Sequence, residues 1–168
     1  MASFTQTDLQ RMPSVDNTIG VIGGGQLALM LGEAAQTRGL TLAVQTSKAE
    51  DPAASMAKDL VIAGSTDARA TRELSTHCAG ITFENEWVAV DALMPLERQG
   101  VQFTPSLASL VPLVNKLSQR RLLDDLLIPS PEWISLAELN PGSPSLPSGW
   151  TFPVMAKAAY GGYDGKGT

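Results

Sequence analysis

The sequence has one cysteine, Cys78, and one histidine, His77. A lone cysteine excludes a disulfide framework, and beside a lone histidine it also excludes a zinc cluster, a histidine metal cage and most catalytic triads. Basic residues are short as well: 12 lysines and arginines stand against 17 acids, a net charge of -5. Nucleic acid and anionic membranes both need a basic footprint, so neither is expected as a partner. ATP, which a few local donors can hold, stays open. No apolar run approaches the ~20 residues needed to cross a bilayer. Residues 1–17, MASFTQTDLQRMPSVDN, lack the basic start and apolar block of a secretory signal and read as a flexible N-terminal extension. Together these absences predict a cytoplasmic protein without a membrane segment.

What is present suits a packed core: hydrophobic residues make up 43% of the 168 positions and charged residues 17%. From Thr18 the pattern alternates. TIGVIGGG is a short apolar run ending in glycines, which predicts a buried strand and a sharp turn. QLALMLGEAAQTRG carries apolar residues at helical spacing and closes on Gly39. LTLAVQ predicts a second strand, DPAASMAKD a short helix opened by Asp51 and Pro52, and LVIAG a third strand. TDARATRELSTHC predicts a helix capped at Thr66 or Asp67, GITFENE a fourth strand, VAVDALMPLERQG a helix and VQFTP a fifth strand. Short strands alternating with helices imply βαβ units, right-handed crossovers and a mostly parallel sheet.

The expected organisation is therefore an α/β, Rossmann-like domain over residues 18–104, linking helices over 105–128 with a break at Pro112, and a further region from 129 to 168. In that region IPSPEWISLAEL reads as a linker running into a strand, NPGSPSLPSGW as a surface loop, and FPVMAKAA as a strand followed by the glycine loop YGGYDGKGT. A strand and an open loop need neighbours, which predicts a piece of a larger protein.

Three constellations carry chemistry. The first is VIGGGQLALM, whose glycine turn presents N–H groups at a helix N-terminus, where an anion such as phosphate is held. Gly23, Gly25 and Ala28 also fit G-x-G-x-x-A, a dinucleotide fingerprint, but that fingerprint wants an acid at the end of the second strand. Gln45, Thr46 and Ser47 stand there, with the first acid only at Glu50, which weighs against NAD. A turn that merely reverses the chain is a third reading. The second constellation is TFENEW: Glu84 and Glu86, two apart on an extended strand, project to one side near its C-terminal end, where open α/β sheets bind ligands. The third is YGGYDGKGT, four glycines and one lysine in nine residues after a strand. Its amides can turn toward a polyphosphate while Lys166 neutralises charge, although the P-loop pattern is not matched. Lys157, in the apolar stretch VMAKAA, is of a type seldom buried without an anion.

Taken in order, GGGQL, TFENE, NKLSQRRLL and AKAAYGGYDGKG resemble the 5-(carboxyamino)imidazole ribonucleotide synthases, ATP-grasp ligases of purine biosynthesis. The resemblance implies a pre-ATP-grasp domain followed by the opening of an ATP-grasp domain. It implies ATP-dependent carboxylation of 5-aminoimidazole ribonucleotide with bicarbonate, with magnesium carboxylates further along in the family and no metal ligands in this chain. For the nucleotide it implies Lys116, Lys157, Gly162, Tyr163, Asp164, Gly165, Lys166, Gly167 and Thr168. For the ribonucleotide it implies Gly24, Gly25, Gln26, Leu27 and Glu84, the phosphate falling to Gly24, Gly25 and Gln26. The full-length protein is expected to be a homodimer, and this chain alone inactive. Two departures stand out: Thr168 replaces the family's usual glutamine, and Thr46 or Ser47 occupies the place where the second strand often ends in aspartate. Other ATP-grasp ligases, of the formate-using glycinamide ribonucleotide transformylase or biotin carboxylase type, and a NAD-binding oxidoreductase domain are the alternatives.

Overall fold

The computed structural model describes residues 17–139 and 146–160. The chain divides into two compact units, Met1–Leu110 and Val111–Thr168.

In the first unit, β1 (Thr18–Ile22) leads through a glycine turn into α1 (Gln26–Gln36), then β2 (Thr41–Thr46), a 3-10 helix (Pro52–Met56) and β3 (Ala57–Ile62). After these come α2 (Ala68–Leu74), β4 (Gly80–Phe83), α3 (Val90–Arg98) and α4 (Leu107–Leu110). The four strands form one parallel sheet in the order β3-β2-β1-β4. This is the α/β architecture that the alternation of apolar runs and helical repeats implies.

The period of two along each strand sends side chains to opposite faces. Val21, Leu42 and Val44 join Ala28 and Ala35 of α1 and Ala53 of the 3-10 helix in one core. Gln45, next along β2, points the other way and is fully buried. Its amide donates to the carbonyls of Gly64 (2.7 Å) and Asp67 (3.3 Å), and its carbonyl accepts from the Thr71 hydroxyl of α2 (2.8 Å). A buried amide is tolerated only when its polar groups are paired, and here both are. Helices thus cover both faces, α1 on one and α2 on the other. Cys78, just after α2, is buried as well: its Sγ donates to the Leu74 carbonyl (3.3 Å), and burial pushes its thiol pKa up.

Several expected elements differ in extent. β3 begins at Ala57 rather than Leu60, because the helix after Asp51 tightens to a five-residue 3-10 turn and releases the chain early. The fifth strand is reduced to one bridge, Ile81 with Phe103, flanked by Ile81 N–H to Gln102 (2.8 Å) and Thr104 N–H to Ile81 (2.9 Å). Pro105 follows at once and has no N–H to extend that ladder. β4 stops at Phe83, so Glu84 and Glu86 do not extend it as a common strand face. The cause lies in its neighbour: β1 turns away at Gly23, and the last bond is Glu84 N–H to the Ile22 carbonyl (2.9 Å). At α2 the cap is Asp67, whose carboxylate accepts from the N–H groups of Arg69 (2.9 Å) and Ala70 (3.1 Å).

In the second unit, α5 (Lys116–Asp125) is capped by Asn115, which accepts from the Leu117 N–H at 2.7 Å. The strand expected near ISLAEL is instead a 3-10 helix, Leu136–Glu138, started by the Ser135 side chain accepting from Ala137 N–H. Serine at that place competes for the backbone and favours a turn. Trp133 and Trp150 donate their indole N–H groups to Asp124 and Glu132, each at 2.9 Å. The strand expected over FPVMAKAA is not formed: residues 152–160 carry no regular structure and are mostly exposed. Strands are held by ladders, and no strand pairs with this segment among the described residues.

Candidate functional site

β1 and β4 are neighbours in the sheet, yet the chain leaves them in opposite directions: from β1 toward β2, and from β4 away through α3. A crevice opens at such a switch point beyond the C-terminal ends of the strands, and open α/β sheets bind ligands there. The β1–α1 turn and Glu84 both lie at this edge.

Gly23 adopts φ +108°, a conformation that side chains resist, and its N–H donates to the Gln45 carbonyl at 2.9 Å. The Gly25 N–H donates to Glu84 Oε2 at 2.9 Å. Glu84 also explains why the turn is bare. A Cβ at Gly25 would stand 2.3 Å from Glu84 Oε1, and one at Gly23 2.5 Å from Glu84 Cβ. The carboxylate sits against the N-terminus of α1, whose partial positive charge it complements. Gly25 has no side chain with which to cap the first turn of α1. Gln26 and Leu27 are exposed there, Leu27 by 62%.

The structure therefore gathers Gly24, Gly25, Gln26, Leu27 and Glu84 at one edge of the sheet. Gly25 has its own N–H engaged by Glu84. A third element completes the site. The Thr46 hydroxyl, at the end of β2, donates to the Asp51 carboxylate in a short hydrogen bond. An acid is thus present at the end of the second strand after all, carried back by a turn from five positions downstream. Sequence reading passed over Asp51 because strand spacing measures distance along the chain; its signal was the Asp-Pro start of the 3-10 helix.

In the second unit the Lys116 N–H donates to the Ala159 carbonyl at 2.9 Å. The bond brings the start of α5 to the segment that carries Lys157, which is exposed. Gly162, Tyr163, Asp164, Gly165, Lys166, Gly167 and Thr168 lie outside the described residues. Among the described residues no group of three or more His, Cys, Asp or Glu side chains is placed to hold a metal ion. No helix among them is long and apolar enough to cross a membrane.

Residues 16–112 match the ribonucleotide synthetase preATP-grasp domain. The chain belongs to that family. It is 47% identical over 150 residues to the N5-carboxyaminoimidazole ribonucleotide synthase of Synechococcus elongatus, covering 89% of this chain and 38% of that relative. To the enzyme of the same name from Synechocystis sp. it is 45% identical over 151 residues, covering 90% and 37%. The chain therefore spans well under half the length of these curated relatives. Among solved structures, the N5-carboxyaminoimidazole synthase of Aspergillus clavatus in complex with ADP and 5-aminoimidazole ribonucleotide superposes with a TM-score of 0.60 at 28% identity, over 67% of this chain and 30% of that one. The resemblance carried by GGGQL, TFENE and the lysine motifs is borne out by these matches, as is the preATP-grasp reading of the sheet. The NAD fingerprint at Gly23, Gly25 and Ala28 is shared geometry: a parallel sheet that turns on glycine meets the same steric demand in either family.

Proposed function

We propose that this preATP-grasp domain holds 5-aminoimidazole ribonucleotide for ATP-dependent carboxylation by bicarbonate in purine biosynthesis. The observation that carries the reading is the placement of Glu84 on the glycine turn at the switch point, in a chain 45–47% identical to named N5-carboxyaminoimidazole ribonucleotide synthases. In the reaction ATP phosphorylates bicarbonate, and the exocyclic amine captures the activated carboxyl group with loss of phosphate. The part of this domain is to bind and orient. Glu84 accepts hydrogen bonds from ribose hydroxyls or from the amine, and Gly24, Gly25 and Gln26 face the ribonucleotide phosphate, chiefly through the first-turn N–H groups of α1. Leu27, exposed beside them, covers the apolar edge of the base. Lys116 and Lys157 take the ATP, a cationic pair suited to a polyphosphate, with the glycine loop from Gly162 to Thr168 closing over it. The domain limits that accompany this reading are 18–104 for the ribonucleotide-binding sheet, 105–128 for the linking helices and the remainder for the opening of the ATP-grasp domain.

Calorimetric titration of the chain with 5-aminoimidazole ribonucleotide, with ADP and with NADH tests it. The expected result is saturable binding of the ribonucleotide and no heat from NADH. Glu84→Ala weakens the ribonucleotide about tenfold, the value of one charge-assisted hydrogen bond. Saturation by NADH with none by the ribonucleotide would sink the reading.

A further inference from the structure

The glycine turn is held from behind by the end of β2 and by the 3-10 helix. Gly24 is buried, and three contacts hold it or its neighbour. Its carbonyl accepts from the Ala53 N–H at 2.9 Å, and the Gly23 N–H before it is bound to Gln45. Its α-carbon lies so close to Thr46 that an added Cβ would stand 2.4 Å from Oγ1, 2.5 Å from Cβ and 3.0 Å from Cγ2. Thr46 is itself 4% exposed, and its hydroxyl is committed to Asp51. Asp51 stands at the N-cap of the 3-10 helix, where aspartate ordinarily accepts an N–H of its own first turn. Here it makes no such bond. Its carboxylate is turned to the strand end instead, and that departure from local habit shows which interaction dominates.

Resting on the ribonucleotide reading above, we propose that Thr46 and Asp51 are a positioning pair for that site: their hydrogen bond locks the Thr46 rotamer, and the locked side chain sets the plane of the Gly24–Gly25 peptide. The orientation of that peptide decides where the first-turn N–H groups of α1 point, hence whether they converge on a ligand. Without the hydroxyl bond the threonine is free to exchange methyl and hydroxyl between rotamers, and each exchange moves a different atom against Gly24.

The test uses Thr46→Val, which keeps the shape and removes the donor, Asp51→Ala, which removes the acceptor, and Thr46→Ser, which keeps the donor. Three readouts are taken: affinity for 5-aminoimidazole ribonucleotide, affinity for ADP, and amide hydrogen exchange along the chain. The expected result is about tenfold weaker ribonucleotide binding in Thr46→Val and Asp51→Ala, one hydrogen bond's worth of ordering. ADP affinity is unchanged, exchange rises only at Gly24–Leu27, and Thr46→Ser restores both. Parental affinity and exchange in Thr46→Val overturn the proposal, while ribonucleotide binding by the parent keeps the functional reading intact. A loss of ADP affinity with faster exchange throughout also overturns it, since that marks a merely structural role. If the parent fails to bind the ribonucleotide, the functional reading falls instead; exchange then decides the pair alone, a rise confined to Gly24–Leu27 upholding it and an unchanged pattern overturning it.

Discussion

Replacing one glycine by alanine at two positions of the same domain should change stability in opposite directions. At Gly24 the new methyl meets the Thr46 Oγ1 at 2.4 Å and its Cβ at 2.5 Å. Neither atom is the end of a flexible chain: Thr46 is β-branched, buried on β2 and bonded to Asp51. Overpacking of this kind costs about 1–3 kcal/mol, and loss of the Thr46–Asp51 bond adds about 1 kcal/mol. Restriction of the unfolded chain returns roughly 0.4–1 kcal/mol. The net is a destabilisation of about 2 kcal/mol. Gly32, inside α1, is different. Its methyl would lie 3.3 Å from the tips of Leu42 and Met56, both able to give by small rotations. Alanine there also gains close to 1 kcal/mol of helix propensity. Gly32→Ala is expected between neutral and about 1 kcal/mol more stable, so the two variants separate by about 2–3 kcal/mol. Urea unfolding followed by far-ultraviolet circular dichroism measures the difference, with the m-value confirming that compactness is unchanged. A Gly24→Ala midpoint equal to that of the parent would refute the steric reasoning, and with it the close fit of the turn against β2.

Gln45→Leu keeps the volume of a fully buried side chain but strips the Gly64 and Asp67 carbonyls of their donor, and a loss of about 2 kcal/mol is expected by the same unfolding assay. Cys78 introduces a pH dependence. Its thiol pKa is raised from the ordinary 9.0 by burial, so the unfolded chain releases the proton first as pH rises. The stability it contributes is complete below about pH 9 and declines above it, by up to about 1.4 kcal/mol per pH unit until the folded thiol titrates. Cys78→Ala should flatten the alkaline limb relative to the parent; an unchanged slope would show that the thiol is not held protonated. The same burial predicts that Cys78 reacts with thiol reagents only at the rate of local opening.

The sheet was legible along the chain because its determinants are local. Apolar runs of four to six residues became strands in the parallel sheet, where each has a neighbour to pair with, and the helical spacing of Leu27 to Ala35 marks α1. The site motifs were legible for a related reason: glycines in GGGQL and the acid of TFENE mark positions where backbone must come close to something. What that something is depends on neighbours far apart in sequence. FPVMAKAA has every strand preference and forms none, since a strand without a partner leaves its backbone bonds to water. VQFTP reached only a single bridge because Pro105 ends its ladder.

Sequence by itself thus determined the order of elements from β1 to β4, the parallel α/β class and the glycine turn at Gly23–Gly25. Tertiary structure alone decided how that turn is used. It folded Glu84 from β4 onto the Gly25 N–H, across a separation of 59 residues, and it carried Asp51 back to the end of β2, where strand spacing had found only Gln45, Thr46 and Ser47. The reason is physical. Periodicity reports which way a side chain points from its own element, while a hydrogen bond between strand ends depends on which strands are adjacent, and adjacency is fixed only when the sheet assembles around its core.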